Sequence, residues 1–320
     1  MNLRETKRLG RTDVSVTRLG LGTAPLGGLY ASVAHGDALR TIDAAWHAGI
    51  RFFDTAPLYG HGLAEMRLGE ALANRPRDEY VVATKVGRLL QPVTGKATED
   101  RHYKGTPPVQ PVFDFSYDGV LRSVDDSLAR LKLDRIDVLH IHDPDDHYDA
   151  AVGGAYRALA RLRQEGTVGA VGAGMNQWEM LQGFAVQCNF DCFLLAGRYT
   201  LLDRSAGESL LPMCERKSIS IIAGGVYNSG ILADPRPGAK FDYEPAAPAL
   251  VAEAQRLDRI CVAHGVALKA AAIQFPLMHP AVAAVLTGAR SAEELRDNVA
   301  MFETSLPAAL WEALGAPYHA

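Results

Sequence analysis

The sequence contains few cysteines, little net charge and no long apolar run. Its four cysteines are Cys188, Cys192, Cys214 and Cys261. Their spacing fits neither a metal site nor a disulfide framework. The formal net charge of −4 provides no basic surface for nucleic acid or an anionic membrane. The charged N-terminus lacks the apolar core of a signal peptide, and no run is long enough to span a bilayer. We therefore expect a cytoplasmic protein that binds neither nucleic acid nor membranes.

The chain does contain a regular alternation of strand and helix patterns. The β-branched runs predict strands at Thr17–Leu21, Phe52–Asp54, Val81–Lys85, Ile136–Ile141, Val168–Ala173, Cys192–Leu195, Ile219–Ala223 and Ala283–Leu286. Helical spacing predicts helices at Asp37–Ala48, Leu63–Ala73, Ser116–Leu131, Tyr148–Glu165, Trp178–Gln187, Gly207–Lys217 and Ala249–His264. A turn at Gly10–Asp13 predicts an N-terminal β-hairpin. The alternation, without a linker-like segment, predicts an α/β fold: a single (β/α)8 TIM barrel over residues 1–320.

Polar residues stand where three of these strands end. Asp54 ends the strand at Phe52, and Tyr59 follows it in the loop; Lys85 ends the next strand and His142 follows a third. Active sites of such barrels lie at the carboxyl ends of the strands. A buried ammonium also needs a partner, which Asp54 can provide to Lys85. We expect these four side chains to converge. The alternative is that Asp54 caps a helix and Tyr59 only packs under the loop.

These four positions resemble the catalytic Asp, Tyr, Lys and His of the aldo-keto reductase superfamily, and the resemblance extends from about Leu9 to about Phe302. It implies hydride transfer with a nicotinamide cofactor and no metal. A neighbouring cation lowers the pKa of a phenol. We therefore expect Tyr59 to transfer the proton, Lys85 to lower its pKa, Asp54 to anchor Lys85, and His142 to orient the substrate oxygen.

Two other functions remain open. His140 and His142 alternate onto one side of a strand, as metal ligands of barrel hydrolases do. No other strand is predicted to end in histidine, so we interpret His140 as a core residue. Some members of the superfamily are cofactor-binding regulatory subunits, and measured hydride transfer would distinguish an enzyme from these.

The resemblance also indicates where the cofactor binds. The loop that begins at Ala223 offers backbone amides to a pyrophosphate, Asn176 is the nearest candidate for the carboxamide, and the segment from Gly288 resembles the adenosine site. Gly224 departs from the family, since many members have a tyrosine there that stacks on the nicotinamide. The predicted cofactor residues are Gly22, Thr23, Asp54, Asn176, Gly225, Val226, Tyr227, Ser229, Gly230, Gly288, Arg290, Ser291, Glu294 and Asn298.

The choice between NAD and NADP depends on two side chains of opposite charge. Arg290 is suited to a 2′-phosphate, whereas Glu294 would repel that phosphate and accept from a free ribose hydroxyl. The balance favours NAD slightly.

Longer stretches resemble one subgroup of the superfamily. Residues 54–65, 112–120 and 198–203 are similar to bacterial D-threo-aldose 1-dehydrogenases, also called L-fucose dehydrogenases, whose relatives include pyridoxal 4-dehydrogenases and L-galactose dehydrogenases. The resemblance implies oxidation of the anomeric hydroxyl of an aldose such as L-fucose, L-galactose or D-arabinose to a lactone. The alternatives are pyridoxal oxidation and general NADPH-dependent reduction of aldehydes or ketones. We expect a monomer or weak homo-oligomer.

The segment from Leu89 to Phe115 has no sustained period. A loop of this length inside a compact domain is usually functional or disordered. Because it follows the Lys85 strand on the active-site face, we interpret it as a loop that covers the substrate. The alternative is a mobile loop with no role in binding.

Overall fold

Eight parallel strands form a closed barrel in the computed structural model, which describes residues 1–93 and 100–316. The strands are Leu19–Gly22, Phe52–Asp54, Val81–Val86, Val138–His142, Ala170–Met175, Cys192–Ala196, Ser220–Gly224 and Val282–Gly288. Each pairs in parallel with the next along the chain, and the last pairs with the first. The predicted α/β barrel is confirmed, with strand bounds within a few residues of those expected.

Helices follow the strands and surround the barrel. The longer ones are His35–Ala48, Leu63–Leu72, Tyr117–Leu131, Arg157–Gln164, Trp178–Gln187, Leu210–Lys217, Pro248–Ala263, Leu268–Gln274 and Ala292–Glu303. The prediction missed Leu268–Gln274, because this helix is almost entirely buried and has no polar face to mark its period. No single described helix is long and apolar enough to cross a membrane. The pair Pro248–Ala263 and Leu268–Met278 passes that test by length and composition, with a bend of 101° between its members.

The core has two parts, inside and outside the barrel wall. The larger part lies between strands and helices, as expected for this fold. The smaller part fills the barrel and includes Phe52, Ala83 and Val138 from three successive strands. Leu9 and Val16 belong to this inner cluster. They come from the predicted N-terminal hairpin, in which Thr6–Arg8 pairs with Ser15–Thr17, so that hairpin packs against the barrel interior.

The long segment after the third barrel strand is more ordered than its sequence indicated. Arg88–Pro92 and Val109–Phe113 pair as an antiparallel hairpin. Residues 94–99 of the predicted covering loop lie outside the described residues. Tyr103 forms a bridge with Leu29, in the loop after the first strand. Backbone pairing between two loops therefore holds this part of the segment over the barrel mouth.

Candidate active site

Strand alternation directs three predicted catalytic side chains into the barrel. Successive residues of a strand point to opposite faces, so residues two apart share a face. Phe52 and Ala83 lie in the inner core, and therefore Asp54 and Lys85 also point inward. Val138 shares that core, which places His142 on the same side, four residues along its strand.

Asp54 and Lys85 form a buried ion pair. Lys85 Nζ donates to Asp54 Oδ1 at 2.7 Å and to the Thr55 carbonyl at 2.8 Å. The Lys85 side chain is 1% exposed and the Asp54 side chain is 3% exposed. Burial raises the pKa of Asp54, and the charge and hydrogen bond of Lys85 act in the opposite direction. Within the described residues Asp54 Oδ2 has no hydrogen-bond partner, which leaves an acceptor at the cavity beside it.

Tyr59 reaches this pair because two loops contact each other closely. A Cβ on Gly60, whose φ is +62°, would lie 2.2 Å from the Gly27 carbonyl oxygen. A Cβ on Gly27 would lie 2.6 Å from the Tyr59 carbonyl carbon. Gly28 has a similar contact with the backbone of Lys104. Gly27, Gly28 and Gly60 therefore allow close contact with neighbouring backbone, and the contact of Gly27 with Gly60 fixes the loop that carries Tyr59.

The electrostatics of Tyr59 differ from expectation. Lys85 Nζ lies 4.6 Å from the centre of the Tyr59 ring, so the predicted cation is present. Burial, and next the negative charge of Asp54, nevertheless raise the pKa of Tyr59 well above its ordinary value. The net shift is upward because loss of water disfavours the charged phenolate, and the lowering of this pKa by Lys85 stays a prediction. The phenol is protonated at neutral pH in this structure.

His142 and His140 occupy successive positions on the inner side of one strand. The His142 ring stands edge-on to Tyr59, with ring centres 5.8 Å apart. Burial and the charge of Lys85 hold the pKa of both histidines down, that of His140 to about 3. Both imidazole rings are therefore neutral at pH 7. His140 Nε2 lies 3.5 Å from Cys192 Sγ in the core. No group of three or more His, Cys, Asp or Glu among the described residues is arranged to hold a metal ion.

The four predicted catalytic residues adjoin a pocket of about 220 Å³, and all except Asp54 line it. The other polar lining residues are His102, Tyr103, Asp143, Asn176 and Tyr243. His102, Tyr103, Asp143 and Tyr243 were not among the predicted site residues. The sequence held a signal only for Asp143, which directly follows His142, and for Tyr103, an aromatic residue in the segment from Leu89 to Phe115. The pocket can hold one small ring with several hydroxyls.

A larger cavity of about 540 Å³ adjoins this pocket and shares Tyr59, Asn176 and Tyr243 with it. The predicted cofactor residues that line it are Gly22, Asp54, Asn176, Gly225, Val226, Tyr227, Ser229, Gly230, Gly288, Arg290 and Glu294. Thr23, Ser291 and Asn298 do not line it. Thr23 donates to the Asp54 carbonyl, Ser291 caps the helix Ala292–Glu303, and Asn298 joins Gly288 to Tyr227.

The cavity wall fits an extended dinucleotide. Asn228, Ser229 and Gly230 have positive φ values of 44°, 58° and 106° in succession, and the amides of Asn228 and Gly230 donate to the Gly225 and Tyr227 carbonyls within this turn. A Cβ on Gly230 would meet nothing within 4 Å, so the space beside this turn is open. Thr287 Oγ1 is buried at the cavity without a hydrogen-bond partner among the described residues. The open space beside Gly230 and the hydroxyl of Thr287 suit a pyrophosphate and its flanking groups.

Arg290 and Glu294 meet at one end of this cavity. Arg290 donates to Glu294 through its guanidinium at 3.0 Å and through its backbone N–H at 2.9 Å. The positive charge of Arg290, which favours NADP, and the negative charge of Glu294, which favours NAD, therefore neutralise one another. Both side chains remain about half exposed, so a bound ribose or phosphate can still compete for either.

Comparisons of sequence agree with this geometry. The model of the Aldo/keto reductase family matches residues 18–316. A pyridoxal 4-dehydrogenase of Microbacterium luteolum is 43% identical, over 97% of this chain and 96% of the relative. A D-threo-aldose 1-dehydrogenase of a Pseudomonas species is 38% identical over 94% of each chain. An L-galactose dehydrogenase of Arabidopsis thaliana is 32% identical, over 92% of this chain and 87% of the relative.

Solved structures show the same architecture. An aldo-keto reductase of Bacillus halodurans in its holo form superposes with a TM-score of 0.76, at 26% identity, over 98% of this chain and 95% of that one. A glycerol dehydrogenase of Gluconobacter oxydans has a TM-score of 0.75, at 25% identity, over 97% and 94%.

Proposed function

This chain belongs to the aldo/keto reductase family and is an NAD(P)-dependent oxidoreductase, and we propose that it oxidises the anomeric hydroxyl of an aldose to a lactone. The pocket of about 220 Å³ carries this proposal, because it joins Tyr59, Lys85 and His142 to the cofactor cavity and is rich in hydrogen-bonding groups. We also propose that the whole chain is one domain.

Each predicted catalytic side chain has a role that its contacts support. A nicotinamide cofactor, when bound in the adjoining cavity, would supply the acceptor for the hydride of the anomeric carbon. Tyr59 takes the proton of the anomeric hydroxyl in its phenolate form, and His142 positions that oxygen. A phenolate of high pKa is a strong base but is scarce at neutral pH, so oxidation is faster at alkaline pH. Lys85 compensates the phenolate charge when it forms, and Asp54 keeps Lys85 in place.

NAD is the proposed preference. The pairing of Arg290 with Glu294 occupies the guanidinium that would grip a 2′-phosphate, and it leaves a carboxylate near the position of the ribose. A phosphate would have to displace that carboxylate and remain close to it, which costs Coulomb energy.

Pyridoxal is the second candidate substrate. It closes into a cyclic hemiacetal, the functional group that an aldose also presents, and its oxidation likewise gives a lactone. The 43% identical relative is a pyridoxal 4-dehydrogenase. Tyr59 and Tyr103, stacked with ring centres 6.3 Å apart, provide an aromatic wall that suits a pyridine ring.

The test is a substrate panel with NAD and with NADP. L-Fucose, L-galactose, D-arabinose and pyridoxal are compared by kcat/KM, and the lactone is identified by mass. We expect an aldose to give the highest value. If the enzyme turns over pyridoxal or simple aldehydes well and turns over none of the sugars, the substrate would instead be assigned as pyridoxal or an aldehyde, whichever is turned over. A Tyr59→Phe preparation, purified in parallel, reports contaminating dehydrogenases.

A further inference from the structure

Asp143 enters the substrate pocket through an unusual backbone conformation. It directly follows the strand Val138–His142 and has a positive φ of 41°. In a continuing strand its side chain would point away from that of His142. The left-handed turn, fixed by a 3.0 Å hydrogen bond from the Asp143 amide to the Gly174 carbonyl, breaks this alternation. Both side chains therefore line the same pocket.

Arg88 pairs with the carboxylate of Asp143. Its guanidinium donates to Asp143 Oδ2 at 3.2 Å, and His142 Nε2 lies 3.4 Å from the same oxygen. The Asp143 side chain keeps 29% of its exposure, so it remains accessible from the pocket. Burial is the largest cause that raises the pKa of Tyr59, Tyr103 and Tyr243, which line the same pocket, and the negative charge of Asp143 adds to it in the same direction.

We propose that Asp143 is a specificity-determining residue, which accepts a hydrogen bond from a hydroxyl of an uncharged substrate and repels substrates that carry a carboxylate or phosphate. Arg88 is its positioning residue. The proposal rests on the proposed function, since it concerns the hydroxyls of the same cyclic substrate.

The chemistry of a carboxylate supports both halves of the proposal. An ionised carboxylate only accepts hydrogen bonds, and those from hydroxyls are short and strong. A site that hydrogen-bonds a substrate hydroxyl discriminates strongly against the analogue that lacks this hydroxyl. An apolar pocket discriminates much less against a substrate that is smaller by one methylene group. A second anion in so small a pocket would meet Asp143, and the cations beside it are the Arg88 guanidinium, which already pairs with Asp143, and the Lys85 ammonium, which already pairs with Asp54.

A cycle of enzyme variants and deoxy sugars tests the hydrogen bond. Asp143→Ala removes the acceptor, and Asp146→Asn changes one charge at an exposed position of the same loop as a control. In the wild type and in Asp146→Asn, one monodeoxy analogue of the preferred sugar should lose about tenfold or more in kcat/KM. In Asp143→Ala that loss should shrink to about threefold or less. Equal losses in the wild type and Asp143→Ala would overturn the proposal.

A second arm tests the exclusion of anions. Asp143→Asn keeps an acceptor oxygen but removes the charge, so the kcat/KM of a uronic acid relative to its neutral sugar should rise about tenfold or more. Arg88→Gln should move the acid limb of the pH profile of 1/KM to higher pH, and Arg88→Lys should restore it. An unchanged uronate ratio in Asp143→Asn would equally overturn the proposal.

Two readouts separate the causes of failure. Thermal unfolding and cofactor fluorescence show whether each variant is folded and loaded. If the wild type turns over no aldose and no pyridoxal, the proposed function fails and this proposal fails with it. If the wild type is active but its variants behave like Asp146→Asn, only the assignment of Asp143 fails.

Discussion

Lys85 Nζ donates a 2.7 Å hydrogen bond to Asp54 Oδ1, although the two residues are 31 positions apart in the chain. Their strands are neighbours in the barrel, and both side chains are almost fully buried. A buried pair of this kind is held by mutual compensation, since removing one charge leaves the other in an apolar site. This relationship makes Lys85 a fixed cation beside Tyr59 rather than a mobile one.

Breaking this pair should cost stability. Asp54→Asn leaves Lys85 without its counter-charge, and we expect a loss of about 3–5 kcal/mol in the free energy of unfolding. The double variant Asp54→Asn/Lys85→Met should recover part of the loss, because it no longer buries an unpaired ammonium. Unfolding in urea measures the free energy of unfolding of the single and the double variant. A single variant as stable as the wild type would show that water already reaches the pair.

Tyr59→Phe tests the proton transfer. The change removes only the hydroxyl, so folding and cofactor binding should persist while kcat falls by about 10²–10⁴-fold. Tyr103→Phe is the matched control, since Tyr103 stacks on Tyr59 and lines the same pocket. It should retain most of kcat. A Tyr59→Phe rate within about threefold of the wild type, measured with a chelator present, would refute the assignment.

Cofactor preference should follow the charges at the end of the cavity. Glu294→Gln removes a negative charge near the ribose, and kcat/KM with NADP relative to NAD should rise about tenfold. Arg290→Ala should weaken NADP more than NAD. Glu293→Gln is the matched control, because Glu293 is exposed and does not line the cavity. Unchanged ratios in both site variants would show that neither side chain contacts the adenosine ribose.

His140 should make the fold sensitive to acid. Its folded pKa is held near 3 by burial, whereas an unfolded chain has the ordinary value of 6.5. Between these values the unfolded state binds one more proton, so stability is complete above pH 6.5 and falls by up to about 1.4 kcal/mol per pH unit below it. His142 contributes in the same direction. His140→Gln should therefore reduce, without abolishing, the slope of unfolding free energy between pH 6 and 4. An identical slope in both proteins would mean that His140 is protonated in the fold.

The sequence by itself determined the barrel and the positions of the polar strand ends. β-Branched runs and helical periods are local properties, and they predicted Asp54, Lys85 and His142 at or just after the carboxyl ends of three strands. The prediction missed the helix Leu268–Gln274, whose uniform burial leaves no periodic pattern.

Only the tertiary structure decided how these groups are tuned. The position of Tyr59 depends on the contact of Gly27 with Gly60, two loops that no local pattern connects. Its pKa is raised first by burial and next by the charge of Asp54, and burial depends on the whole pocket rather than on any local pattern. Asp143 joins the pocket through one backbone angle, because a positive φ at a strand end depends on the contacts around it rather than on strand periodicity.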